Sequence, residues 1–179
     1  MKSNVKTKIK SLINLVKISS SERKKGNKIV LCHGVFDLIH PGHIRYFESA
    51  KKFGDILIVS LTADKFVKKG PGRPVFNEAL RAEVLAAIEI IDYIVIVHSD
   101  SAVLAIKKIQ PNFYVKGPDY KKRKPNPLIP RMLGDEEEAV RSVGGKLIFT
   151  DDIIYSSSQI INQHLDVYPP KTKVFLESF

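Results

Sequence analysis

The sequence contains no tryptophan, only two methionines and a single cysteine in 179 residues. One cysteine cannot close an internal disulfide, and Cys32 lies in an apolar stretch, where it is best explained as a small buried side chain. No apolar run approaches the roughly 18 residues that a membrane-spanning helix requires, and no apolar core of a signal peptide follows the basic N-terminus. These absences predict a cytoplasmic protein without a membrane partner.

Acidic residues are in short supply, because 29 lysines and arginines face 19 aspartates and glutamates, for a formal net charge of +10. Much of the excess lies near the N-terminus and in two segments, residues 65–73 and 121–124. A basic balance favours anionic partners, namely phosphorylated small molecules, nucleic acid or acidic lipid. Nucleic acid is disfavoured because few aromatic residues for base stacking lie among the basic clusters.

Apolar strand-like runs alternate along the chain with segments of helical spacing. Strands are predicted at 28–32, 55–61, 93–97, 112–116 and 146–150, and helices at 41–53, 77–90, 101–109, 135–143 and 156–165. This alternation predicts an α/β fold, a doubly wound parallel sheet of the Rossmann-like type with helices on both faces. The ligand of such a sheet usually binds at the carboxyl ends of the strands.

Three parts of the chain are distinguished. Residues 1–27 are predicted to contain an N-terminal amphipathic helix over 5–18, followed by a polar connector, and the apolar face of that helix consists of Ile9, Leu12, Ile13 and Val16. Residues 28–165 hold the α/β domain. Residues 166–179 contain a double proline and then an amphipathic start, which we interpret either as a short docked helix or as the start of a linker to a further domain.

The histidine segment, GVFDLIHPGH at residues 34–43, follows the first predicted strand and leads into a helix. Proline favours the first helical position, so His40 falls at the helix N-cap and His43 lies on the same face. The free N–H groups and the dipole of a helix N-terminus attract anions, and Gly34 and Gly42 leave room for a phosphate to approach the backbone. The segment is therefore predicted to be a phosphate site with two imidazole donors.

Other interpretations fit parts of the histidine segment. A histidine near a helix start is often only a cap or a surface residue, although two at this spacing after a glycine favour a site. Zinc ligation would need a third and a fourth ligand, and no histidine or cysteine lies at metal-binding spacing. Asp37 either closes the turn through its side chain, orients a histidine or approaches a nucleotide. Neither GxxxxGK[ST] nor GxGxxG occurs in the chain.

GVFDLIHPGH resembles the GxFDxxHxGH signature of the cytidylyltransferase-like nucleotidyltransferases, which include glycerol-3-phosphate cytidylyltransferase and the adenylyltransferase domain of ADP-heptose synthases. The resemblance continues in family order through AKKFGDILIVSLTAD, GRPVFNEALRAEVLAAIEIIDYIV, VKGPDY and YSSSQII, and covers residues 28–165. It implies a doubly wound fold and transfer of a nucleoside monophosphate from a triphosphate to a phosphorylated alcohol or sugar. Pyrophosphate is released, and Mg2+ is the expected cofactor.

The resemblance also implies roles for single residues. The catalytic residues would be His40, His43 and a lysine of the basic loop (residues 65–76), Lys69 in preference to Lys68, all of which would neutralise charge on the triphosphate. Arg81 would hold the substrate phosphate or, alternatively, form a surface salt bridge. The residues expected at the nucleotide are Gly34, Val35, Phe36, Asp37, Gly42, Asp64, Lys116, Asp119, Ser156, Ser157 and Ser158. For the last five of these and for Asp64, capping or loop structure is the alternative explanation.

Two departures from the family pattern bear on the substrate. Glycerol-3-phosphate cytidylyltransferases carry arginines where this chain has Glu89 and, shortly before the last helix, Asp151 and Asp152. Their loss favours a sugar phosphate, as in the heptose-type enzymes, and leaves ATP and CTP both open. The alternatives are a phosphoalcohol cytidylyltransferase and a non-catalytic nucleotide-binding module. A homodimer and a fused or separate sugar kinase are the expected protein partners.

Overall fold

The computed structural model describes residues 5–70, 72–118 and 132–151. Five parallel strands form one sheet in the order β3-β2-β1-β4-β5. The strands are β1 (Ile29–Gly34), β2 (Ile56–Thr62), β3 (Tyr93–Val97), β4 (Phe113–Lys116) and β5 (Lys146–Phe149). All five predicted strands are present, with differences only at their ends, because each is an apolar run that is buried on both faces of the sheet.

Helices cover both faces of the sheet, so the predicted doubly wound α/β fold is confirmed. Among the described residues, the α-helices are α1 (Leu12–Lys24), α2 (Pro41–Lys51), α3 (Glu78–Ala86), α4 (Val103–Ile109) and α5 (Met132–Ser142). One apolar cluster packs α2 and α3 against the sheet through residues such as Phe47 and Leu85, and a second cluster packs α1, α4 and α5 through Leu15, Ile106 and Val140. None of the described helices is long and apolar enough to cross a membrane.

Helix ends follow the expected capping chemistry. His40 is the N-cap of α2 with Pro41 at the first helical position, as the sequence predicts. Asn77 caps α3, because its side chain accepts a hydrogen bond from the backbone N–H of Leu80 at 3.0 Å. Gly144 follows α5 with a φ of 76°, a left-handed conformation that glycine adopts without strain.

The predicted N-terminal helix is present, but its predicted bounds of residues 5–18 are wrong. Residues 5–8 form a 3₁₀ turn, and Ile9 pairs with Ile94, so this segment extends the edge of the sheet beside β3. The helix begins only after Ser11, whose side chain accepts a hydrogen bond from the N–H of Asn14, and runs through much of the predicted polar connector to Lys24. Its buried face contains Leu15, whereas Ile13 is 68% exposed. The helix thus begins seven residues, or about two turns, later than the sequence predicts.

Candidate active site

The histidine segment lies at the carboxyl edge of the sheet, where the order of the strands reverses. β1 ends at Gly34 and has β2 on one side and β4 on the other, so its carboxyl end is the switch point of the sheet. Helix α2 starts directly above this point and is fixed there by Tyr46, whose hydroxyl donates to the carbonyl of Val115 in β4 at 2.6 Å. The predicted phosphate segment therefore occupies the place where α/β sheets bind ligands.

His40 and His43 lie together at the start of α2. Their rings stack with centroids 3.8 Å apart and an interplanar angle of 23°. The backbone also joins them, because the N–H of His43 donates to the carbonyl of His40 at 2.9 Å. The Nδ1 atom of His43 is buried and has no hydrogen-bond partner among the residues that the structure describes. This arrangement leaves a buried imidazole nitrogen for a ligand.

Phe36 orients the second histidine. Its φ of 46° is unusual for a residue with a side chain. The ring is buried, lies 5.4 Å from the His43 ring in an edge-on arrangement, and also packs against Phe47 at 5.2 Å. Strained backbone of this kind is typical of functional sites. Since the Phe36 ring faces the core, only its backbone remains for the nucleotide contact that was expected of it.

Gly34 is required for a reason that differs from the predicted one. A Cβ atom at this position would lie 3.0 Å from Cζ of Phe36, so the aromatic ring already occupies the space that a side chain would need. The predicted approach of a phosphate to Gly34 stays a prediction. Gly42 is buried in the first turn of α2, beside the two histidines, and its predicted contact with phosphate also stays untested.

Burial and positive neighbours keep both imidazoles neutral in the free protein. Burial lowers the pKa of His40 below its ordinary value, and the charge of Lys69 lowers it further. Burial, His40 and Lys69 together lower the pKa of His43 to about 3. A neutral imidazole still donates one hydrogen bond, and a bound polyanion would favour its protonation. The charge of Lys69 thus contributes to the lowered pKa of both histidines.

The two lysines of the basic loop have different surroundings. Lys68 is 79% exposed and pairs with Asp100 at 3.3 Å. The charge of Lys69 lowers the pKa of His40 and of His43. The structure thus brings His40 and His43 together and favours Lys69 over Lys68 through its charge effect, while the catalytic roles of the four residues stay predictions.

Asp37 fastens the basic loop to the histidine segment. Its carboxylate is fully buried and accepts from Nε of Arg73 at 2.6 Å and from the backbone N–H of Val75 at 2.7 Å. Both carboxylate oxygens of Asp37 are therefore hydrogen-bonded to the basic loop. The sequence left open whether Asp37 closes the turn, orients a histidine or approaches a nucleotide, and in the structure its carboxylate binds the basic loop instead. Arg73 was not recognised from the sequence, because its partner lies 36 residues away.

Arg81 is buried rather than presented to a substrate, and a surface salt bridge is likewise excluded. It is 1% exposed and donates to the carbonyls of Val35, Phe76 and Thr62 and to the carboxylate of Asp64 at 2.6 Å. Four of its five N–H donors are thus bound to protein oxygens. Arg81 thus links the segment that follows β1 to the end of β2, and it supports the candidate site from the protein interior.

Asp64, the partner of Arg81, also connects neighbouring elements. Besides the pair with Arg81, its carboxylate accepts from the N–H of Glu78 at 3.0 Å, while the Glu78 carboxylate accepts from the N–H of Asp64 at 2.7 Å. These reciprocal bonds connect the end of β2 to the first turn of α3. The Asp64 side chain remains 37% exposed, so its predicted nucleotide contact stays open.

A second polar cluster lies at the same edge, on the side of α5. Lys116 is buried and pairs with Glu136 at 3.0 Å, and Glu136 also accepts from the backbone N–H of Ala102 at the start of α4. Burial raises the pKa of Glu136, but Lys116 and the Ala102 N–H more than offset this, so the pKa lies below its ordinary value. Lys116, predicted at the nucleotide, is thus held in an internal ion pair.

His33 joins this cluster from β1. Its Nδ1 lies 2.9 Å from the hydroxyl of Ser60 and its Nε2 lies 3.3 Å from the hydroxyl of Thr62. Burial and the charge of Lys116 lower the pKa of His33 to about 4. The register of the strands places it between β2 and β4, one residue before the histidine segment. Sequence reasoning missed this residue, although its alternation within β1 signals a side chain opposite to Cys32.

Several predicted residues lie outside the described part of the chain: Asp119, Ser156, Ser157 and Ser158. Among the described residues, no group of three or more His, Cys, Asp or Glu side chains is placed to hold a metal ion. A shallow, open depression of about 440 Å³ on the surface of α2 is lined by His40, Ile39, Pro41, Ile44, Arg45 and Glu48.

Comparison with known proteins is consistent with the geometry. A family model described as cytidylyltransferase-like matches residues 31–163. The bifunctional protein HldE of Aliarcobacter butzleri is 39% identical over 147 residues, which cover 81% of this chain and 30% of that protein. HldE of Geobacter metallireducens is 38% identical over 166 residues, which cover 90% of this chain and 32% of that protein. The chain thus spans about a third of the length of these curated relatives.

A solved structure has the same fold. The lipopolysaccharide core biosynthesis protein from Thermoplasma volcanium superimposes with a TM-score of 0.58 at 22% identity, and the match covers 72% of this chain and all of that one. At this identity the likeness concerns the arrangement of the sheet and helices. It agrees with the five-stranded order described above.

Proposed function

The chain belongs to the cytidylyltransferase-like family, and from this premise we propose that it joins the nucleoside monophosphate part of ATP or CTP to a sugar phosphate. The product is a nucleotide-activated sugar, and pyrophosphate is released. The observation that carries the proposal is the stacked pair of His40 and His43 at the start of α2, above the switch point of the sheet. The charge of Lys69 acts on the pKa of both histidines.

The reaction needs positioning and charge stabilisation rather than a protein nucleophile. An oxygen of the sugar phosphate attacks the α-phosphorus, and the bond from that phosphorus to the pyrophosphate oxygen breaks. Negative charge grows on the leaving pyrophosphate and on the oxygens around the α-phosphorus. Imidazole N–H groups from His40 and His43 and the ammonium group of Lys69 are of the right type to stabilise this charge.

Magnesium is the cofactor that we propose on the strength of the family resemblance. The described residues contain no carboxylate cluster, and both oxygens of Asp37 are bound to the basic loop. This donor set suits an ion that reaches the site on the triphosphate and is held mainly by phosphate oxygens and water, as Mg2+ often is. Such an ion would neutralise phosphate charge in addition to Lys69.

The acceptor that we propose is a sugar phosphate rather than glycerol phosphate. The support is the replacement of two glycerol-type arginine positions by acidic residues and the similarity to proteins named bifunctional, of which this chain matches one part. A sugar kinase, fused or separate, would supply such an acceptor. The chain leaves ATP and CTP as equal candidates, because it lacks a cytidine-type arginine and offers no residue specific for adenine.

Pyrophosphate release is the direct test. The protein is incubated with magnesium and each of ATP, CTP, GTP and UTP, crossed with heptose, hexose and pentose 1-phosphates and glycerol 3-phosphate. Release is expected with one triphosphate and a sugar 1-phosphate, and it should be absent from the His43→Ala variant. Release with glycerol 3-phosphate alone would favour the phosphoalcohol alternative. Tight triphosphate binding without release from any pair would favour the non-catalytic module.

A homodimer and a cytoplasmic location stay predictions from the sequence and the resemblance. The dimer is tested by sedimentation equilibrium of the purified chain, for which twice the monomer mass is expected. A monomer that still releases pyrophosphate would show that assembly is not needed for the reaction.

A further inference from the structure

Four basic side chains of the basic loop and α3, namely Lys68, Lys69, Arg73 and Arg81, are distinguished by their partners. Arg81 has four donors bound to protein oxygens, and Lys68 pairs with the exposed Asp100. Lys69 acts on both histidines through its charge. Arg73 remains. Its side chain is 3% exposed and its Nε is bound to Asp37, but its Nη2 atom is buried and has no hydrogen-bond partner among the described residues.

A buried, unpaired donor on a guanidinium group is costly to maintain. Burying a charged group without its full set of hydrogen bonds destabilises a fold, and such groups are rarely left unpaired. The ion pair with Asp37 offsets the charge, since Asp37 is completely buried beside it, but it uses only the Nε side of the planar fork. The free Nη2 donor therefore calls for an acceptor that arrives later, such as a ligand oxygen.

The position of Arg73 specifies the ligand. Asp37, in the histidine segment, is hydrogen-bonded to Arg73 and Val75 of the basic loop, so Arg73 lies where these two segments meet. The histidine segment that contains Asp37 also contains His40 and His43, and the basic loop that contains Arg73 also contains Lys69. A donor held between two segments that carry imidazole and ammonium groups suits an anionic oxygen, and the guanidinium fork can hold a carboxylate with one edge and a phosphate with another.

We propose that Arg73 is a substrate-binding residue whose Nη2 group donates to a phosphate oxygen of the bound substrate while its Nε group holds Asp37. This inference rests on the proposed function and adds a residue to it. The phosphate belongs either to the triphosphate or to the sugar phosphate, and the two sources share the same chemistry. Arg73 thereby takes the role that the sequence suggested for Arg81, and binding of the phosphate also strengthens the attachment of the basic loop.

The test compares substrate affinity in variants of the ion pair. Dissociation constants for ATP, CTP and heptose 1-phosphate, each alone with magnesium, are measured by isothermal titration calorimetry, so that no turnover is required. Arg73→Lys keeps the charge beside Asp37 but removes the fork, and it should weaken binding of one substrate at least tenfold, as expected for a lost hydrogen bond to a charged group. The substrate that is weakened identifies the source of the phosphate.

Two further variants separate binding from folding. Asp37→Asn loosens the attachment of the basic loop but leaves the guanidinium, so it should lower the melting temperature while weakening the same substrate less than Arg73→Lys does. The double variant Asp37→Leu, Arg73→Met replaces the buried pair by apolar side chains, a change that proteins often tolerate. It should fold and still lose the affinity. Arg23→Lys is the matched control, because Arg23 binds the carbonyls of Ile109 and Gln110 on another part of the chain.

Three results would overturn the inference. Unchanged affinities in Arg73→Lys would show that water or another protein group meets Nη2. Equal losses in Arg73→Lys and Asp37→Asn would show that Arg73 acts only through Asp37. Wild-type protein that binds neither triphosphate nor heptose 1-phosphate would reject the proposed function together with this inference, whereas the first two results leave the proposed function intact.

Discussion

At the scale of single residues, the histidine pair combines close stacking with burial. Burial, with smaller contributions from the neighbouring His40 and Lys69, lowers the pKa of His43 to about 3, and two charged rings 3.8 Å apart would repel each other strongly. A triphosphate reverses this balance, since its charge favours protonated imidazoles. The free site is therefore arranged so that anion binding and proton uptake are linked.

His43→Ala is expected to lower the turnover number about 100-fold or more, the usual cost of removing one donor that stabilises transition-state charge. The fold should survive, because the position lies in the first turn of α2 and the underlying Phe36–Phe47 contact remains. Steady-state pyrophosphate release and a thermal melt check both statements. His98→Ala, at an exposed histidine, serves as the control. An unfolded His43→Ala protein would assign a structural role to this residue.

Arg81→Met tests whether the buried arginine is structural. Removing it leaves the carbonyls of Val35 and Thr62 without their donor and Asp64 without its partner, so the free energy of unfolding should fall by about 3 kcal/mol or more. Urea unfolding measures this loss. Arg141→Met removes an exposed pair with Glu137 and should cost less than about 1 kcal/mol. A stable Arg81→Met protein with weakened sugar-phosphate binding would restore the original assignment.

At the scale of helices and strands, the apolar runs and capping residues of the sequence determine most of the fold. The strand at Tyr93–Val97 and the cap at Asn77 were predicted correctly because each depends on a few neighbouring residues. The predicted start of the N-terminal helix is wrong because residues 5–8 form a 3₁₀ turn and Ile9 pairs with Ile94 of β3. The period alone cannot show which apolar residues will meet a sheet edge.

The site shows the same division between local and distant information. The strand, proline and two histidines of the histidine segment are neighbours in sequence, and their arrangement at the start of α2 was predicted. The attachment of Asp37 to Arg73 and the pairing of Lys116 with Glu136 join residues 36 and 20 positions apart in the printed sequence. Ion pairs at such separations depend on the packing of whole elements, so one sequence does not reveal them.

The basic loop provides a prediction with a built-in control. Lys69→Ala should lower kcat/KM for the triphosphate about tenfold or more, because its charge acts at the histidine pair. Lys68→Ala removes the same charge from the same loop but from an exposed pair with Asp100, and it should change kcat/KM less than about twofold. The comparison is made at constant ionic strength, since exposed charges are screened by salt. Equal losses in both variants would indicate a general effect of loop charge.

At the scale of the whole molecule, the carboxyl edge of the sheet carries polar clusters on both faces. His40, His43 and the basic loop lie on the side of α2, whereas His33 and the Lys116–Glu136 pair lie on the side of α4 and α5. Thr62 connects them, because its hydroxyl reaches His33 and its carbonyl accepts from Arg81. The carboxyl edge that holds the candidate site therefore also holds several buried ionisable side chains that contribute to the stability of the fold.

This placement predicts a loss of stability in mild acid. The pKa of His33 is about 4 in the folded chain, against an ordinary value of 6.5, so the unfolded chain binds more protons between these values. The stability from a neutral His33 is complete above pH 6.5 and declines as the pH falls toward 4. Between pH 7 and pH 5 the loss from this residue is about 2 kcal/mol. The lowered pKa of His43 adds a loss in the same direction.

His33→Asn isolates the contribution of this one residue. Asparagine keeps a polar group near Ser60 but does not ionise, so the difference in unfolding free energy between pH 7 and pH 5 should shrink by about 2 kcal/mol relative to wild type. Urea unfolding at both pH values gives that difference, and an overall shift in stability from the substitution cancels. His98→Asn should keep the full wild-type difference. If His33→Asn kept the full difference in unfolding free energy as well, the acid sensitivity would come from His40 and His43. Protonation of these two histidines would then affect both the activity and the stability of the chain.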